Sequence, residues 1–169
     1  MELEQRVTEL ERRLAALEKP GGSGKGPALP SGVDFWALEG LKAQLSEAGE
    51  ASGGVLFTGA VHLPTGEQYE WQYGRTTDDL VGSEWADAAD AFAALGQPVR
   101  LRLLHEILAG RRTAAELTEL DGVGTSGQVY HHLRQLTGAG WLHSAGRGRY
   151  EIPPARVVPL LVALAAARS

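Results

Sequence analysis

The chain has 169 residues, of which 43% are hydrophobic and 22% charged, and it contains no cysteine. That is globular composition for one domain with extensions or two small ones, and it excludes a disulfide framework, a thiolate metal site and a cysteine nucleophile. The formal net charge of −5 is uneven: residues 1–97 carry 7 Lys+Arg against 16 Asp+Glu, whereas residues 98–169 carry 9 Arg against 5 Asp+Glu, a split that suits a polyanion-binding module with an appended region.

The first segment, residues 1–19, places Leu3, Val7, Leu10, Leu14 and Leu17 at alternating spacings of four and three, the seam of a coiled coil. Two readings stand, a coiled coil with a partner strand and an amphipathic helix lying on its own domain; the heavily charged flanks favour the coiled coil. The segment lacks the apolar stretch of a signal peptide. Residues 20–32, rich in Gly, Ser and Pro, read as a flexible linker. A helix is expected from about Asp34, its N-cap, with Phe35, Leu38, Leu41 and Leu45 near one face.

Next comes period-two alternation on both sides of Pro64-Thr65-Gly66: Val55, Phe57, Val61 and Leu63 before the turn, Tyr69, Trp71 and Tyr73 after it. This predicts a β-hairpin. A lone hairpin is marginal, so its aromatic face needs a cover: a helix, a second copy or a ligand. Packing is the commoner use of such a stripe. If it binds a ligand, Phe57, Trp71 and Tyr73 with Trp85 form an effector pocket. Residues 33–80 are thus expected to be an extension for dimerisation or sensing.

From Thr76 the pattern is helical with short breaks. Pro98 suits the first turn of a helix through Leu108. Thr113 with Glu116, and Thr125 with Gln128, are two capping boxes, each opening a helix. Between these helices lies the turn Asp121-Gly122-Val123-Gly124. "WLHSAGRGRYEI" predicts a strand, a Gly-rich tip and a second strand. A final apolar helix follows Pro153-Pro154, and its apolar run falls well short of the roughly 20 residues that cross a bilayer.

The expected fold class is mainly α with small β: an N-terminal coiled-coil helix, a helix plus β-hairpin, and a winged helix-turn-helix over residues 81–169. In the second helix of the motif, Val129, Leu133 and Leu136 form the inner face. The helical phase turns His132 inward beside them and His131 outward. Neighbouring histidines point about 100° apart, so the pair cannot chelate one ion. No acidic residue stands at ligand spacing, and no catalytic motif is present. No enzyme activity, metal or cofactor is expected.

Residues 86–167, above all "ALGQPVRLRLL" and "VYHHLRQLTGAGWL", resemble the ArsR/SmtB family of winged-helix transcription regulators. The resemblance implies a homodimer built from the helices at about Trp85–Leu95 and Arg156–Ala167, the latter apolar nearly all round. It also places Thr125, Ser126, Gln128, Tyr130 and His131 at DNA-reading positions, with Tyr130 where the family has a small Ser. Arg134 on the helix and Arg147 and Arg149 at the wing suit phosphate or groove contacts, and Arg111 and Arg112 extend this basic set. The family's metal sites use cysteines on the supporting helix or Asp/His pairs on the last helix, and neither set exists here.

The function expected is that of a cytoplasmic, DNA-binding transcription regulator, homodimeric and repressing. Its partners would be double-stranded DNA, a second copy (or four copies through the coiled coil) and a small-molecule or protein effector, with no membrane partner. An alternative reading is a non-enzymatic adaptor that uses the coiled coil and winged helix to bind proteins.

Overall fold

A computed structural model describes residues 35–168. The coiled-coil segment, the linker and the Asp34 cap lie outside the described residues. The class is mainly α with small β, as expected: helix α1 (Trp36–Ala48), strands β1 (Gly54–His62) and β2 (Gln68–Thr76), helix α2 (Thr77–Gly82), a 3-10 turn at Trp85–Ala88, and helices α3 (Ala89–Leu95), α4 (Pro98–Leu108), α5 (Ala114–Thr118) and α6 (Ser126–Gly138). Strands β3 (His143–Gly146) and β4 (Arg149–Glu151) and helix α7 (Pro154–Ala166) complete the chain. Among the described residues no helix is long and apolar enough to cross a membrane.

The core sits under α4, α5 and α6. Leu103, Leu104 and Ile107 of α4 meet Leu117 of α5 and Val129, Leu133 and Leu136 of α6, all essentially inaccessible to water. The apolar residues recur at three- and four-residue spacings, so each helix turns one stripe inward. Pro98 does occupy the first turn of α4, where its missing N–H costs nothing. Both capping boxes form. Trp141 and Leu142 leave the expected strand. Their amides donate to the Leu136 carbonyl and finish α6, while the buried Trp141 indole donates to the Ala91 carbonyl at 2.9 Å.

β1 and β2 pair antiparallel with Phe57 opposite Tyr73, Gly59 opposite Trp71 and Val61 opposite Tyr69. Gly66, at φ 88°, makes the turn in a conformation that favours glycine. The hairpin lies on α7. A Cβ on Gly59 would fall 2.6 Å from Val158 Cγ1, so the strand backbone rests directly on that side chain. Val158 is buried yet stands apart from the main core cluster. α7 is apolar nearly all round, and the resemblance implies that it contributes to a dimer contact. The chain's own hairpin covers the side that Val158 presents.

Candidate nucleic-acid interface

α5, the turn and α6 set one polar helix face outward. Two left-handed glycines, Gly122 (φ 75°) and Gly124 (φ 93°), reverse the chain around buried Val123. The turn delivers Thr125 as N-cap of α6: Gln128 N–H donates to Thr125 Oγ1 at 3.4 Å, and Thr125 N–H donates to Gln128 Oε1 at 2.8 Å. With Val129, Leu133 and Leu136 inward, Ser126, Gln128, Tyr130, His131, Arg134 and Gln135 are exposed. Capping uses the Gln128 carbonyl oxygen and leaves its amide N–H groups as donors. Gln135 is engaged elsewhere. Its Oε1 accepts from Arg100 Nη1 at 2.7 Å, while Arg100 Nε and Nη2 donate to the carbonyls of Ala94 (2.5 Å) and Ala93 (2.7 Å) at the end of α3. One guanidinium thus braces α6 against α3.

His131 and His132 divide as the helical phase requires. Their ring centroids are 5.8 Å apart, with His131 exposed and His132 half-buried. His132 Nδ1 is buried without a hydrogen-bond partner. Its pKa lies below the ordinary histidine value, chiefly through desolvation and then through the charges of Arg100 and His131; a contact with Gln135 opposes the shift. A base whose folded pKa is depressed holds fewer protons when folded than when unfolded, so folding stability rises with pH in that window. Melting temperature should therefore fall as the pH drops from about 6.5 towards the lowered folded value. A His132→Leu variant should lose that dependence, and an unchanged slope in the variant would rule out His132 as its source. The depressed carboxylates of Glu67 and Glu116 act in a separate window, below about 4.5.

The β3–β4 hairpin joins the N-terminus of α5. Ala114 N–H donates to the Gly148 carbonyl at 2.8 Å and Tyr150 N–H to the Arg112 carbonyl at 2.7 Å. At its tip Gly146, Arg147 and Gly148 are all left-handed; Arg147, at φ 51°, is the one non-glycine with positive φ among the described residues. Arg134 and Arg147 have no acidic partner among the described residues. The other arginines of the expected phosphate-binding set are paired. Arg149 Nε donates to Glu151 Oε1 at 3.0 Å, and Arg111 Nη1 lies 3.6 Å from Glu106. Arg112, only 13% exposed, makes two hydrogen bonds to Glu67 in the β1–β2 turn. The Arg112 expectation is therefore corrected: this side chain is a structural clamp and not a surface cation.

The residues expected to form an effector pocket are only partly brought together. Phe57 and Tyr73 make a tilted ring contact at 5.7 Å. Trp71 lines an open depression with Thr58, Gly59, Ala60, Glu70 and Gln72. Trp85 is 71% exposed and its indole donates to the Leu80 carbonyl. The residues that sequence reading missed are Arg100, Glu67 and Glu151. Glu67 and Arg112 are 45 positions apart, a distance over which no local period could pair them.

No family model matches the chain, and no solved structure matches it. A stretch of 74 residues is 38% identical to a probable mercury resistance operon repressor of Streptomyces lividans, covering 42% of this chain. The chain spans 58% of the length of that curated relative, and the likeness is to a repressor of an operon.

Proposed function

We propose that the chain is a sequence-specific DNA-binding transcription regulator of the ArsR/SmtB winged-helix type, not an enzyme, acting as a homodimeric repressor. The observation that carries the reading is the exposed polar face of α6, standing on the buried Val129, Leu133 and Leu136 and accompanied by Arg147 of the neighbouring hairpin, which has no acidic partner among the described residues. Ser126, Gln128, Tyr130 and His131 are hydrogen-bonding groups suited to base edges in a major groove. Thr125 positions the helix start, and Arg134 and Arg147 meet phosphates or the minor groove. The partial likeness to an operon repressor supports the same reading.

The chain has no cysteine, so a soft metal finds no thiolate ligand in it. Effector control is assigned instead to the β1–β2 hairpin region. The dimer surface is assigned to the helices at about 85–95 and 156–167, the first of which carries the strongly exposed apolar side chains Trp85 and Phe92.

Genome-wide occupancy of the tagged protein identifies the site, and binding to that DNA is then titrated against salt. Each of Arg134→Ala and Arg147→Ala should reduce the log–log salt slope by about 0.9 per protomer. Wild-type binding that ignores salt, or no occupancy at all, would refute the regulator reading in favour of an adaptor role.

A further inference from the structure

Glu151 stands between two arginines. Its Oε1 accepts from Arg149 Nε at 3.0 Å, and the same oxygen lies 3.8 Å from Arg112 Nη1. Its Oε2 lies 3.8 Å from His143 Nε2. Arg112 is drawn away from this carboxylate by Glu67, which takes both of its terminal nitrogens. Arg112 is buried enough to need an acidic partner, since a desolvated guanidinium left alone is costly. Arg149, with its side chain 46% exposed, can exchange a carboxylate for water or a phosphate at little cost. Arg112 is also anchored in place by its Nε contact to the Ile107 carbonyl and its own carbonyl's bond to Tyr150 N–H. Losing Glu67 would therefore require only a shift of about an ångström to bring Arg112 to hydrogen-bonding distance of Glu151.

We propose that Glu67 is a positioning residue for DNA binding: by holding Arg112 it leaves Glu151 to Arg149, and so keeps one of the two wing arginines off the phosphate backbone. The docked hairpin is then the weaker-binding state, and displacement of the β1–β2 turn is transmitted to the wing by exchange of partners at one oxygen. The inference rests on the DNA-binding reading above. It goes beyond that reading in naming which cation is held back and by what.

The test compares wild type, Glu67→Gln, Arg149→Ala and the double variant, each as the full chain. Glu67→Gln should steepen the salt slope by about 0.9 per protomer and tighten binding about three- to tenfold at 100 mM salt. The double variant should show no such gain over Arg149→Ala. In the DNA-free protein, the Arg149 Nε–Hε resonance should shift in Glu67→Gln while the amide spectrum of the α4–α6 core is retained. A gain that persists in the double variant, or an unmoved Arg149 resonance, overturns the proposal. If the wild type binds no DNA, the function fails separately, and the Arg149 resonance alone decides whether the exchange of partners occurs. Glu151→Gln is the second variant: it releases Arg149 directly and should reproduce the steeper slope.

Discussion

Replacing Leu133 with alanine is expected to cost about 2–5 kcal/mol, the usual range for truncating a fully buried leucine and leaving a cavity. Leu133 is wholly inaccessible and sits between Val129 and Leu136 on the inner face of α6. Small domains are stable by only about 5–15 kcal/mol, so one such cavity consumes a large share of the total. The effect should appear as a lower denaturation midpoint with unchanged cooperativity. DNA affinity should fall only in proportion to the unfolded fraction, because the polar outer face is untouched. A midpoint within experimental error of wild type would show that α6 is not seated on this core. The comparison with Arg134→Ala is informative, since that change should weaken binding and leave the midpoint alone.

The second large effect is expected at Gly59, where two influences oppose each other. On strand propensity alone, Gly59→Val should help, by up to about 1 kcal/mol. Against this, a Cβ there would lie 2.6 Å from Val158 Cγ1 and 3.4 Å from Cγ2. Val158 is buried and β-branched, so it has almost no rotamer freedom with which to yield. Overpacking of this kind costs about 1–3 kcal/mol, and the valine methyls add to the crowding. The clash should win, either lowering stability or lifting the hairpin from α7. Hydrogen exchange separates the outcomes: a lifted hairpin loses protection across β1 and β2 while α4 to α6 keep theirs. If Gly59→Val instead raises the melting temperature, the hairpin does not rest on Val158. Lifting should also free Arg112 from Glu67, linking this variant to the wing.

Much of the α4–α6 region was legible because its determinants are local. Thr113 with Glu116 and Thr125 with Gln128 are three residues apart, the reach of one helical turn, and both boxes form. Helical phase alone separated His131 from His132. The β1–β2 hairpin followed from alternation on both sides of a short turn, while its register came from the structure. What could not be read were pairings across the fold. A basic residue in a sequence carries no mark of whether a carboxylate awaits it. Arg134 and Arg112 are alike as members of one basic set; the first has no acidic partner among the described residues, and the second is buried against Glu67.

The sequence by itself determined α4, α5 and α6, the two hairpins, the two capping boxes and the division of α6 into a buried and a polar face, because periodicity and capping act within a few residues of chain. The tertiary structure alone decided that the β1–β2 hairpin covers α7, that Gly59 must stay small against Val158, and that Glu67 reaches Arg112 beside Glu151. Those depend on distant segments meeting, where close packing and the cost of an unpaired buried charge select the partners.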